Sequence, residues 1–150
     1  MRAVIQRVLD CSVTVEGTLR SKIGQGIMVL VGIEDADTME DINWLAGKII
    51  NMRIFDDENG VMNRSVMDVQ GNIMIVSQFT LMAQTRKGNR PSYIRASGAE
   101  FSKPMYEKFC ETVEKESGIR VQRGIFGADM KIAMTGDGPV TIIMDTKNRE

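Results

Sequence analysis

No histidine occurs anywhere in the 150 residues, and its absence removes the commonest general base and the commonest metal ligand together. A Ser-His-Asp or Cys-His device cannot be assembled within this chain. Cysteine is nearly absent too. Cys11 and Cys110 are far apart and form no CxxC pair, so no zinc site is expected and two incidental thiols in a reducing compartment fit, with a disulfide left open. No apolar run approaches the roughly 18–20 residues of a membrane span, and the opening MRAVIQRV lacks the apolar core of a signal peptide. A cytoplasmic protein with no membrane association is the expectation. An enzyme made from this sequence must draw on backbone groups, on Lys, Asp, Glu or Tyr, or on its substrate, and no metal or cofactor is called for.

What is present is ordinary for a globular chain. A hydrophobic share of 43% with 26% charged residues argues against disorder and fibrous repeats, and the length suits a single domain spanning 1–150. Residues 2–9 read as a strand with Ala3, Ile5, Arg7 and Leu9 on one face. Arg7 then either finds carboxylate or carbonyl acceptors, or the strand ends and its guanidinium reaches water. Residues 11–16 alternate, and Glu16-Gly17 signals a hairpin into 19–23. Residues 24–33 form a continuous apolar strand. Gly24 and Gly26 lack the third glycine and the following helix of a dinucleotide loop, so they mark a turn. Asp37 with Glu40 reads as a capping box opening a helix over 38–52, whose apolar stripe is Met39, Ile42, Leu45, Ala46 and Ile49. Residues 56–60, DDENG, are a solvated acidic turn without the calcium-loop pattern.

The stretch 72–81, NIMIVSQFTL, reads as a strand buried on both faces. Alternation would put Ser77 and Phe79 on one face, Gln78 and Thr80 on the other. These polar groups either satisfy one another or face a ligand. The next loop, 82–97, holds Arg86, Lys87, Arg90 and Arg95, and no acidic residue lies between Asp68 and Glu100. In a chain of net charge −1 this concentration suggests an anionic partner such as nucleic-acid phosphates, the alternative being an exposed loop that binds nothing. A helix over 100–117 carries Phe101, Met105, Phe109 and Val113 on one stripe and ends at Gly118. Strands at 119–122, 131–134 and 140–145 follow, with a loop at 124–130 and a frayed tail, TKNRE.

Between the last two strands stands TGDGPVT, residues 135–141, which local rules read as a turn. Together, SQFTL at 77–81 and GPVT at 138–141 resemble the paired signature of the D-aminoacyl-tRNA deacylases. IQRV at 5–8, GNRPSY at 88–93 and FGADM at 126–130 extend the resemblance in the family's order over nearly the full length.

The resemblance implies an α+β (α/β) fold, a mixed, largely antiparallel, barrel-like sheet with two main helices packed on it. It also implies a homodimeric hydrolase that cleaves the ester between a D-amino acid and the 3′-terminal adenosine of tRNA. In that family a cis Gly-Pro peptide, here Gly138-Pro139, projects carbonyl oxygens into the partner's pocket, excluding L-amino acids while admitting D-amino acids and glycine. Arg7 matches the arginine that holds this motif. Ser77, Gln78, Phe79 and Thr80 are the implied catalytic residues, and Phe126, Ala128, Met130, Val140 and Thr141 the implied substrate contacts. Phe126 and Met130 stand open between packing an adenosine and closing the core. Arg86, Lys87 and Arg90 would meet acceptor-stem phosphates. The resemblance implies water attack assisted by the ribose 2′-OH, a substrate-assisted route that the absence of histidine favours, with N–H groups around Phe79 and Thr80 as oxyanion donors; Thr80 is a conceivable nucleophile, but its hydroxyl has no evident base. Gly136 departs from the asparagine usual before Asp-Gly-Pro. A nucleic-acid-binding module without catalysis and a small-molecule esterase are the competing readings.

Overall fold

A computed structural model describes residues 1–150. The apolar run at 72–81 forms a short strand, β6 (Asn72–Ser77), laid parallel to the strand from 24–33. In chain order the other elements are β1 (Arg2–Val15), β2 (Thr18–Ile23), β3 (Gly26–Gly32), α1 (Met39–Asn51), β4 (Phe55–Asp56), β5 (Met62–Arg64), a 3-10 turn (Phe79–Met82), α2 (Ala99–Ser117), β7 (Val121–Arg123) and β8 (Lys131–Asp145). The main sheet runs β2-β1-β3-β6-β7, with β8 on the other edge of β1, and β4 and β5 form a separate small hairpin. Pairs made by β1 are antiparallel, while β3-β6 and β6-β7 are parallel. The sheet curls until the Ser21 hydroxyl of β2 donates to the Arg123 carbonyl of β7, nearly closing a barrel. No helix is long and apolar enough to cross a membrane.

Alternation divides the core in two. Ile27, Val29, Val31, Ile73 and Ile75 face the helices in the larger cluster, and Met28, Met74 and Val76 face the barrel interior with Val8, Cys11 and Val13. Thus β6 is buried on both faces, the reason its run lacks polar alternation. Cys110 lies in the first cluster and Cys11 in the second, and both are free thiols.

Several local expectations shift. The two strands expected over 2–9 and 11–16 are one, and its partner β8 joins the two expected over 131–134 and 140–145. Between Gln6↔Thr141 and Val8↔Gly136 only Arg7 faces 137–140, and Leu9 is an extra residue before Asp10↔Thr135. This bulge reverses the alternation, so Leu9 is 51% exposed while Val8 is buried. The segment 135–141 is therefore a bulged stretch of strand. In α1 the capping box falls one residue later, the Asp41 carboxylate accepting the Thr38 N–H at 2.8 Å, and Met39 is exposed. In α2 the buried stripe is Ser102, Tyr106, Phe109, Cys110 and Val113, leaving Phe101 half out of the core.

The tail is anchored rather than frayed. Thr146 is buried and its N–H donates to the Met1 carbonyl at 2.9 Å. Lys147 Nζ lies 2.8 Å from Asp41 Oδ2, and Arg149 stacks over Trp44. Burial pushes the Asp41 carboxyl up, but hydrogen bonds from Lys147, Thr146 and Thr38 outweigh it and hold it far below the carboxylate range. A carboxyl depressed on folding contributes stability that is complete above its unfolded value of about 3.9 and is lost as pH falls towards the folded value. Asp41→Asn is therefore expected to lower stability at neutral pH and to flatten the loss between about pH 5 and 2. Urea midpoints at several pH values measure this, and parallel curves for both proteins would exonerate Asp41.

Candidate active site

Strand β6 stops at Ser77 because the chain turns there. Gln78 N–H still reaches the Val31 carbonyl at 2.7 Å, but Leu81 N–H then bonds back to the Gln78 carbonyl at 3.3 Å and Ala83 N–H to Thr80 at 3.1 Å. The predicted alternation of Ser77 and Phe79 against Gln78 and Thr80 therefore gives way to a 3-10 turn. Gly32 makes room for it, since a Cβ there would stand 3.0 Å from the Gln78 carbonyl oxygen and 3.1 Å from Leu81 Cβ. Gln78 Nε2 donates to Thr80 Oγ1, so part of the polar set satisfies itself. The N–H groups of Phe79 and Thr80 open the turn and have no acceptor within it.

At these carboxyl ends of β3 and β6 lies a pocket of about 310 Å³, apolar in most of its lining with a few polar groups, as ligand sites commonly are. Ser77, Gln78 and Phe79 line one side, and Phe126, Ala128 and Met130 line the other. The second wall is held by Tyr106, whose hydroxyl donates to the Ile75 carbonyl at 2.8 Å and whose ring packs 5.9 Å from that of Phe126. Phe126 is thus both core support and pocket wall. Gly124, where a Cβ would meet Met130 Sδ at 2.6 Å, lets this loop close onto β6. Sequence reasoning missed Val31, Ile33, Ser97 and Ser102 in the lining. They are far apart in the chain and carry no motif.

The pocket offers no ordinary base. Its one carboxylate, Asp129, is 84% exposed and lies 3.0 Å from Lys131 Nζ. The protein's thiols are unavailable, because burial pushes Cys110 up to about 12 and Cys11 up to about 11. Burial likewise drives the Tyr106 hydroxyl above its usual range. No three His, Cys, Asp or Glu side chains converge as a metal site would need.

Gly138, Pro139, Val140 and Thr141 do not line this pocket. They lie on β8, where the Gly138-Pro139 bond is cis and both residues are exposed. Arg7, 8% exposed, sits opposite them. Its Nη1 donates to the Ile54 carbonyl at 2.7 Å and lies 3.5 Å from Asp56. Buried Nε is 3.0 Å from Asp137 Oδ2 yet off the line of a hydrogen bond, so that contact is one of charge. Of the two readings of Arg7, acceptors inside the fold prevail. Arg7 pairs with Ile27, whereas the pocket begins at Val31, four residues or roughly 13 Å along the strand.

The basic loop makes a second cavity of about 530 Å³, lined by no hydrophobic residue, from Gln84, Thr85, Arg86, Lys87, Arg90 and Ser92. Paired Gln84 and Ser92 backbones close its neck at 2.8 and 2.9 Å. Arg95 is neutralised by Glu34 at 2.9 Å, while Arg86, Lys87 and Arg90 meet no carboxylate.

The family model described as D-Tyr-tRNA(Tyr) deacylase matches residues 4–145. The D-aminoacyl-tRNA deacylase of Flavobacterium johnsoniae is 65% identical over 150 residues, covering 100% of both chains. A solved structure described as c-Myc DNA Unwinding Element Binding Protein aligns with TM-score 0.91 at 42% identity, covering 97% of this chain and 98% of that one. Another, described as a probable eukaryotic D-amino acid tRNA deacylase, aligns with TM-score 0.82 at 20% identity over 95% of this chain and 97% of its own, and that likeness supports the mixed barrel-like fold alone. The matched span includes both the pocket walls and the β8 bulge, and the chain belongs to the D-Tyr-tRNA(Tyr) deacylase family.

Proposed function

We propose that this chain hydrolyses the ester joining a D-amino acid to the 3′-terminal adenosine of tRNA, working as a cytoplasmic homodimer. The observation that carries this reading is the pocket between the 3-10 turn and the Phe126 loop, which gathers Ser77, Gln78 and Phe79 with Phe126, Ala128 and Met130. Its apolar wall suits the adenosine and its turn suits the ester. The β8 strand supports the dimer: it pairs only with β1, and Leu9, Met134 and Ile143 are exposed beside that open edge. In such a dimer Gly138 and Pro139 of one protomer enter the partner's pocket, their carbonyl oxygens crowding the side chain of an L-amino acid. Val140 and Thr141 position that segment. Glycyl esters, lacking a side chain, pass the same filter.

Water attacks the ester carbonyl carbon, and the N–H groups of Phe79 and Thr80 receive the developing oxyanion. Collapse breaks the bond to the ribose 3′ oxygen, which takes the proton, with the adjacent 2′-OH relaying it. Thr80 is poorly suited as nucleophile, because its hydroxyl accepts from Gln78 and meets no base. Thr80→Ala is thus expected to lower kcat less than about tenfold, whereas a loss of ~10³-fold with an intact fold would make the hydroxyl the nucleophile.

The deciding experiment compares hydrolysis of D-tyrosyl-tRNA and L-tyrosyl-tRNA, with and without a chelator. Selective loss of the D-ester, indifferent to chelation, is expected. A second reading, a nucleic-acid-binding module without catalysis, draws on the three unpaired cations of the basic cavity. Binding of uncharged tRNA with neither ester cleaved would establish it and overturn the hydrolase.

A further inference from the structure

Two aromatic rings stand where a folded core does not need them. Phe79, 58% exposed, lines the pocket, and Tyr93, 38% exposed, packs edge-on against it with centroids 5.1 Å apart at 75°. Tyr93 follows Ser92, which lines the basic cavity and is pinned to Gln84 across its neck. The Tyr93 ring therefore bridges the apolar pocket and the cluster of Arg86, Lys87 and Arg90. Pocket, aromatic pair and unpaired cations succeed one another over the surface. Interleaved aromatic faces and positive charge are how proteins hold single-stranded nucleic acid, bases stacking on rings while phosphates meet the cations.

Resting on the deacylase reading, we propose that Tyr93, backed by Phe79, is the stacking platform for the unpaired nucleotide preceding the terminal adenosine of an RNA 3′ end. The basic cavity then takes the phosphates on the duplex side of that nucleotide. The ligand class is a single-stranded ribonucleotide 3′ end ending in adenosine and attached to a duplex. Tyr93 acts through a π-face, so the platform tolerates any base and Tyr93→Phe preserves it.

The test uses two unacylated RNA hairpins, one blunt and one with a short single-stranded 3′ overhang ending in adenosine, titrated into the full-length protein. The wild type is expected to prefer the overhang hairpin. That preference should fall roughly tenfold to hundredfold in Tyr93→Ala and survive in Tyr93→Phe. NMR supplies a measurement that needs no variant: the Tyr93 ring signals shift on adding the overhang hairpin and stay put with the blunt one. A wild type without preference, a Tyr93→Ala protein that keeps it, or ring signals indifferent to the overhang would each overturn the proposal. Hydrolysis of D-tyrosyl-tRNA by the same preparations separates the two ideas. Cleavage without a Tyr93 effect sinks only the platform, and a Tyr93 effect without cleavage sinks only the hydrolase.

Discussion

Arg7→Ala is expected to lower stability by about 2–3 kcal/mol and to reduce hydrolysis of D-aminoacyl esters at least tenfold. The guanidinium sits opposite the β1–β8 bulge, reaching the Ile54 carbonyl at 2.7 Å, Asp56 at 3.5 Å and Asp137 at 3.0 Å. Truncation leaves a buried carbonyl unpaired and two carboxylates without their cation. The loss stays below that of a fully buried pair because Asp56 is 53% and Asp137 30% exposed, so water screens both. Activity suffers separately, since Arg7 Nη2 lies within 3.4 Å of a Cβ built on Gly138 and so braces the motif proposed to enter the partner's pocket. Arg7→Lys keeps the charge but not the planar fork, and should recover part of the stability and less of the activity. Urea midpoints at unchanged m-value, set beside kcat/KM, read the two effects apart. An Arg7→Ala protein within about 0.5 kcal/mol of wild type would show that the bulge holds without it.

Gly26→Ala is expected to do more damage than any other single methyl group in the sheet, at least ~4 kcal/mol or failure to accumulate folded protein. A Cβ at Gly26 would stand 2.0 Å from the Asn72 carbonyl oxygen and 2.6 Å from its nitrogen. Those atoms belong to backbone of β6, the strand buried on both faces, and cannot swing aside as a side chain would. Relief would require β6 to part from β3 at Gly26↔Asn72, and the pocket hangs on that pairing at its far end. Gly136→Asn is the control. Nothing lies within 4 Å of a Cβ there, and Gly136 is not among the positive-φ glycines. The asparagine usual in the family should cost less than about 0.5 kcal/mol, so its absence here leaves the bulge geometry intact. Thermal and urea unfolding of both variants measure the contrast, and a folded Gly26→Ala protein of wild-type stability would mean the two strands can separate freely.

Some of this protein is determined within short windows of the chain. The absence of histidine excludes the usual triads without any coordinates. The run at 72–77 had to be buried on both faces because it has no polar alternation, and α1 and α2 follow from helical spacing and the left-handed Gly118. Five short motifs in order carried the family resemblance. What only the tertiary structure decided involves partners distant in sequence. Leu9 reaches solvent because it is the extra residue of β1 between the pairs Val8↔Gly136 and Asp10↔Thr135, and the tail is held because Lys147 finds Asp41 more than a hundred residues away. The strand ends at Ser77 because the following residues fold back into a 3-10 turn seated on Gly32. Periodicity records which side of an element is buried, but it carries no record of which remote backbone or charge meets it. The pocket walls and the Phe79–Tyr93 pair are of that second kind.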